Sequence, residues 1–157
     1  MSASYTDNTI ALYANDASQS FTELIITASA TFAHSVVAKD VDGDGTMDAV
    51  SAGSWLRWHQ NDGSESFTTR QVASMSTGIS AVAEDLDGDG DVDLLSAEYG
   101  ANTVAWHEND GSESFAEHEI TTLANWAYDV QAADVDGDGD LDALAASQDD
   151  DLSLIHI

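Results

Sequence analysis

Residues 40–48 read DVDGDGTMD, with aspartates at the first, third, fifth and ninth places and glycines at the fourth and sixth. The same text returns as DLDGDGDVD at 85–93 and DVDGDGDLD at 134–142. Two carboxylates held about 5 Å apart repel by roughly 3 kcal/mol at an effective dielectric of about 20. Each loop therefore calls for a counter-charge, and the chain has only Lys39, Arg57 and Arg70 to set against 30 acidic residues. A bound cation is the natural partner.

Working outward, the loops mark an internal repeat. NDGSESF occurs at 61–67 and again at 109–115, Phe21, Phe67 and Phe115 keep a similar spacing, and NTIALYANDAS (8–18) matches NTVAWHENDGS (102–112). A period of tens of residues points to repeated supersecondary units. Within one unit, ISAVAED (79–85), VDLLSAEY (92–99), TVAWHE (103–108) and FAEHEITT (115–122) read as four strands, with Asn-Asp-Gly turning the chain between the last two. Four strands in about 47 residues make one propeller blade. Sustained 3.6-residue periodicity is scarce, so the expected class is all-β.

The expected organisation is one repeat domain over 1–157, with units near 21–66, 67–114 and 115–157 and a partial unit at 1–20 that completes a blade. About three four-stranded antiparallel blades are too few to close a ring. The N-terminal segment supplies third- and fourth-type strands (8–13 and 21–27) and the C-terminal segment first- and second-type strands (129–134 and 141–147). The expectation is an incomplete ring, either a piece of a longer propeller or a ring completed in a homo-oligomer. The tail 148–157, QDDDLSLIHI, disturbs the strand alternation even though His156 aligns with His107, and is expected to be non-native.

In the acidic loops, alternate carboxylates can turn toward one centre while the glycines let the backbone wrap and the seventh carbonyl adds an oxygen. Several hard oxygen donors without nitrogen or sulfur select calcium. Apolar residues at the second and eighth places (Val41 and Met47, Leu86 and Val92, Val135 and Leu141) anchor each loop to the sheet. An EF-hand is disfavoured, because its twelfth-position Glu is here Ser51, Ser96 or Ala145 and helical flanks are missing.

These loops, with WLRWHQNDG and TVAWHENDG, resemble the VCBS/FG-GAP repeat family, whose calcium-loop β-propellers include the integrin α-subunit head. The resemblance implies that each loop joins the two innermost strands of a blade and binds calcium, about three ions per chain. The implied ligands are Asp40, Asp42, Asp44 and Asp48; Asp85, Asp87, Asp89 and Asp93; and Asp134, Asp136, Asp138 and Asp142. Carbonyls would come from Thr46, Asp91 and Asp140. It also implies a secreted or cell-surface module that binds a glycan or a protein, through adhesion or carbohydrate recognition.

Composition narrows the partners. A formal charge of −27 and three basic residues disfavour nucleic acid, which needs clustered Lys and Arg, and disfavour anionic membranes. No apolar run is long enough for a transmembrane helix, and the opening MSASYTDNT does not read as a signal peptide. Strong acidity favours extracellular or cell-surface surroundings. Cysteine is absent, which removes disulfides and thiolate metal sites.

Other residues are weighed against plain structural roles. His59 and His107 share a repeat position with Tyr13, which favours scaffold over catalysis. Trp55, Tyr99, Trp126 and Tyr128 fall at strand ends and loops, where aromatic faces could stack on sugars. Glu84, Glu98, Glu108 and Glu117 show no spacing that singles out an acid–base pair. The chain is expected not to be an enzyme. The alternatives are the propeller part of a polysaccharide-active enzyme and a purely structural assembly repeat.

Overall fold

The computed structural model describes residues 1–149. The suspected tail beyond Asp149, with His156 and the end of the last expected unit, lies outside the described residues. Among the described residues there is no helix, and the chain forms thirteen strands in four antiparallel sheets.

The first sheet has the order β1 (Ser2–Ser4), β2 (Thr9–Asn15), β3 (Phe21–Thr27). The second runs β4 (Ser35–Lys39), β5 (Asp48–Ala52), β6 (Trp55–Asn61), β7 (Phe67–Ser74), and the third β8 (Gly78–Glu84), β9 (Asp93–Glu98), β10 (Thr103–Asn109), β11 (Phe115–Thr121). The fourth pairs β12 (Ala127–Ala133) with β13 (Asp142–Ser147). Each sheet is a meander of neighbours in sequence, the arrangement of propeller blades. Two blades are complete, flanked by a three-stranded and a two-stranded one. The hydrogen-bonded sheets begin at the innermost strand, so β3 belongs with β2 in the first sheet and β11 with the third. The short β1 was not legible in the sequence: it takes the second-strand place through the pairs Ser2–Ala11, Ala3–Ile10 and Ser4–Thr9.

Three apolar seams hold the sheets face to face. Ile10, Ile26 and Ala49 fill the first seam, with Phe67 packed against them. Val50, Trp58 and Leu94 fill the second with Phe115, and Leu95, Val104 and Val130 the third. Burying one such side chain contributes about 1.5–3 kcal/mol. The innermost strands are cross-linked by polar contacts: Lys39 Nζ reaches Glu84 Oε2 at 2.7 Å, and Ser80 Oγ donates to Asp129 Oδ1 at 2.7 Å.

Antiparallel order sends the two kinds of loop to opposite ends. The acidic loops and the NDGSES turns share one end, and the β9–β10 and β11–β12 links share the other. In each NDGSES turn one aspartate collects three donors. Asp62 Oδ1 accepts from Ser64 N, Ser64 Oγ and Ser66 N, and Asp110 repeats the pattern with Ser112 and Ser114. Side chains of this kind favour turns because they satisfy backbone donors locally.

Candidate metal centres

Each acidic loop bridges the last pair of an inner hairpin: Lys39 with Asp48, Glu84 with Asp93, and Ala133 with Asp142. The ladder therefore fixes the ninth-position aspartate as the first residue of a strand, aimed back under the loop. Both glycines of every loop have positive φ, from +71° at Gly43 to +102° at Gly139. Side chains with a Cβ rarely adopt that conformation, and the turn is tight enough to need it twice.

Three carboxylates converge in each loop: Asp40, Asp42 and Asp48; Asp85, Asp87 and Asp93; Asp134, Asp136 and Asp142, each set with oxygens within 4.8 Å of one another. The fifth-position aspartates stand outside these groups. Oδ1 of Asp44, Asp89 and Asp138 accepts the N–H of Thr46, Asp91 and Asp140 at 2.7, 2.9 and 3.0 Å, closing the turn that sets the seventh residue. The Thr46 hydroxyl, 2.6 Å from Asp44 Oδ1, holds the Asp44 carboxyl below its usual pKa, and the Thr46 N–H adds to that.

The first-position aspartates also tie the loop across itself. Oδ2 of Asp40, Asp85 and Asp134 accepts the N–H of Gly45, Gly90 and Gly139 at 2.9, 3.1 and 3.2 Å. Oδ1 of Asp85 and Asp134 accepts a second glycine N–H at 2.8 and 2.7 Å. Asp40 differs. Its Oδ1 is buried and has no hydrogen-bond partner among the described residues.

Asp48 and Asp93 are fully buried. Asp48 Oδ2 accepts Val41 N at 3.1 Å and the Trp58 indole Nε1 at 2.8 Å, while Oδ1 accepts Asn61 N at 2.7 Å. Asp93 accepts Leu86 N at 3.1 Å and Asn109 N at 2.7 Å. Even with these donors, burial pushes both carboxyls above the ordinary range, with Asp42 and Asp87 adding like charge. Where donors alone leave the charged form disfavoured, a positive partner stabilises it further. Trp106, the counterpart of Trp58, stands close enough to Asp93 to favour its charged form weakly, yet its buried Nε1 makes no hydrogen bond of acceptable geometry.

The residues fit a hard divalent cation. The donor set is all oxygen, the aspartates are pre-aimed, and the buried, unpartnered Asp40 Oδ1 faces an otherwise uncompensated cost of about 1–3 kcal/mol or more. Supporting residues come from the third strand, which the sequence did not single out. Asn61 and Asn109 donate Nδ2 to the carbonyls of Met47 and Val92, both at 3.1 Å, so the first two loops are clamped to the turns at the ends of β6 and β10. Gln60 Nε2 donates to Asp42 Oδ2 at 2.6 Å. The doublets WHQN and WHEN were the visible signal for this clamp.

His59 and His107 are buried within the sheets. Each has a serine hydroxyl 2.9 Å from Nε2, Ser51 and Ser96, and His59 Nδ1 also meets Thr69 Oγ1 at 2.9 Å. Burial lowers both pKa values to about 4, with small additions from Arg57 and His118. They are neutral scaffold residues. Tyr99 and Trp126 stack across the third seam at 5.7 Å, and Trp126 and Tyr128 remain 42% and 58% exposed at the end opposite the acidic loops. Tyr5 and Phe32 form an equivalent stack at 5.0 Å.

No curated protein matches the chain at a meaningful level. A family model for the FG-GAP-like repeat matches residues 1–51 and 85–145, which takes in all three acidic loops and more than half of the sequence. With its blade-like sheets and its repeated aspartate loops, the chain belongs to the FG-GAP-like repeat family.

Proposed function

We propose that this chain is a calcium-stabilised β-propeller module of a secreted or cell-surface protein, non-enzymatic, with a ligand face at the end away from the metal loops. The observation that carries the metal reading is the buried Asp40 Oδ1, unpartnered beside two converging carboxylates. Oxygen-only donors and positive-φ glycines support calcium over transition metals. Calcium here is structural: it offsets repulsion within each loop and fixes the inner hairpin to the following turn. Three ions would bring the formal charge from −27 to −21.

The ligand face is supported by exposed rings held on strained backbone. Phe32 and Trp126 have φ of +54° and +56°, and the Asn8 and Asn102 side chains accept their N–H groups at 3.1 and 2.9 Å. Exposed aromatics at one end suit a sugar ring or an apolar protein side chain. The non-enzymatic reading is supported by the buried His59, both ring nitrogens of which meet hydroxyls, and His107, whose Nε2 meets the Ser96 hydroxyl inside the sheet.

Calcium titration calorimetry tests the metal reading, with a stoichiometry near three expected. At free calcium 100 times Kd each filled site stabilises by about 2.7 kcal/mol. Absence of heat and of any thermal shift in millimolar calcium would overturn it. A glycan array probed in calcium tests the carbohydrate reading of the opposite face, and a blank array leaves protein recognition as its role.

A further inference from the structure

Eight of the eleven glycines follow an aspartate. An Asp-Gly bond is open to attack on its own side chain, because glycine puts no Cβ in the way. The glycine nitrogen adds to the aspartate Cγ. The N–Cγ bond forms and a Cγ–O bond breaks, the amide hydrogen leaving with the carboxyl OH as water. Water then opens the cyclic imide. Opening at the main-chain carbonyl leaves isoaspartate, whose backbone runs through Cβ and Cγ, and no oxidant or other co-reactant is needed.

The attacking nitrogen must be free to give up its hydrogen, and in seven of the eight bonds that hydrogen is engaged. Gly88 and Gly137 donate to Oδ1 of Asp85 and Asp134 at 2.8 and 2.7 Å. Gly45, Gly90 and Gly139 donate to Oδ2 of the first aspartate in their loops. Gly63 and Gly111 donate to Oδ1 of Asn61 and Asn109 at 3.1 and 3.3 Å, and there Asp62 and Asp110 are also held by three donors each. Gly43 differs. Its N–H is exposed and has no acceptor among the described residues. The acceptor that the repeat would give it, Asp40 Oδ1, is the buried oxygen without a partner.

The carbon under attack is prepared as well. Gln60 Nε2 donates to Asp42 Oδ2 at 2.6 Å, and Arg70 orients that amide by donating to Gln60 Oε1 at 2.8 and 3.2 Å. A donor so placed stabilises the negative charge that builds on the oxygen as the nitrogen adds. In the second loop the counterpart of Gln60 is Glu108, whose carboxylate pairs with His118 at 2.7 Å and has no amide to offer.

We propose that Asp42–Gly43 is a self-modifying bond, the place where this chain first forms isoaspartate, with the Gln60 amide assisting the attack of the Gly43 nitrogen. Breaking a hydrogen bond to a carboxylate before attack slows the equivalent bonds of the other loops by about tenfold or more. The product carries its carboxyl on a lengthened backbone, so it no longer stands with Asp40 and Asp48. The first loop is retired with age while the second and third persist.

The inference rests on the hydrogen bonds of the loops and not on the metal reading, so the experiment is run in chelator. The full chain is kept for weeks at physiological temperature and pH in water enriched in heavy oxygen, then digested. Electron-transfer fragmentation locates isoaspartate, and the oxygen label marks every bond that passed through the imide. Isoaspartate and label are expected at Asp42 about tenfold ahead of Asp87 and Asp136. Asp85→Ala frees the Gly88 N–H and should bring Asp87 up to the rate of Asp42, with circular dichroism unchanged. Gln60→Met should slow Asp42 several-fold. Equal rates at Asp42, Asp87 and Asp136, first product at Asp62 or Asp110, or no product anywhere would each overturn it. So would an unchanged rate at Asp87 in a folded Asp85→Ala, or an unslowed rate at Asp42 in Gln60→Met.

Discussion

Replacing Asp40 by Asn should change the sign of its effect on stability when calcium is added. In the calcium-free protein three carboxylates lie within 4.8 Å of one another, and Asp40 takes part in two of the three repulsive pairs. At that separation each pair costs about 3.5 kcal/mol at an effective dielectric of 20 and about 0.9 kcal/mol with full water screening. Asp40 and Asp42 are only partly buried, which places the relief toward the lower figure. The Asn Oδ1 can keep the Gly45 N–H bond, weakened because the acceptor is now neutral, at a loss of about 0.5–1 kcal/mol. Its new amide donor takes the place of the unpartnered Oδ1, beside two carboxylates. The calcium-free variant should therefore be more stable than wild type by about 1 kcal/mol.

With calcium the order reverses. If loss of one charged ligand weakens the site a hundredfold, calcium at 100 times the wild-type Kd stabilises the variant site by about 0.4 rather than about 2.7 kcal/mol. The net effect is a loss of about 1 kcal/mol relative to wild type. Urea unfolding followed by tryptophan fluorescence, run in chelator and in calcium, reads both numbers. A variant that is destabilised in chelator, or that keeps the whole calcium increment, would refute the idea that these carboxylates are held together for a cation.

Three further outcomes follow from the packing. His59 and His107 have folded pKa values near 4 against 6.5 when unfolded, so the unfolded chain takes up protons first. Their contribution is complete above pH 6.5 and falls as the pH drops toward 4, by up to about 3 kcal/mol each, and His107→Gln should flatten the measured slope of stability against pH. Ala17 sits at φ +62° where the other turns have Gly63 and Gly111, so Ala17→Gly should stabilise by about 0.5–1 kcal/mol in thermal unfolding. Gly100 donates its N–H to Ser76 O at 2.8 Å, and a Cβ there would lie 2.5 Å from that oxygen. Gly100→Ala should therefore cost about 2–3 kcal/mol, seen as a lower urea midpoint; an unchanged midpoint would show that this approach is looser than drawn.

The repeat carried most of the architecture because a blade is local: each strand pairs with its sequence neighbour, so spacing, alternation and turn residues determine the sheet. The loops were legible for the same reason, since their aspartates and glycines lie within nine residues. What the sequence did not reveal depends on partners from elsewhere. Asp48 is held by Trp58 and Asn61 on the third strand, and nothing within DVDGDGTMD points to them. The turn-closing hydrogen bond of Asp44 is equally invisible in a pattern that presents all four aspartates alike. β1 escaped because Ser-Ala-Ser has neither length nor an apolar face, and is a strand only through its pairing with β2.

The contacts of Trp58 give the metal loops a reach beyond their own hairpins. Its indole N–H donates to Asp48, its ring meets Phe115 of the next sheet, and Arg70 lies 5.1 Å from the ring centroid while pairing with Glu113, also in the next sheet, at 2.9 Å. An ion that fixes Asp48 in its charged form strengthens the indole hydrogen bond, because bonds to ionised acceptors are about twice as strong as neutral ones. The indole in turn sets the wall against which the next blade packs. An ion bound in this loop would thereby be coupled to the seam between two sheets. Among the described residues Trp106 differs: its Nε1 makes no hydrogen bond of acceptable geometry, and no phenylalanine packs in its cluster. An ion in the first loop would therefore act on the Trp58–Phe115 seam, a route the second loop does not share.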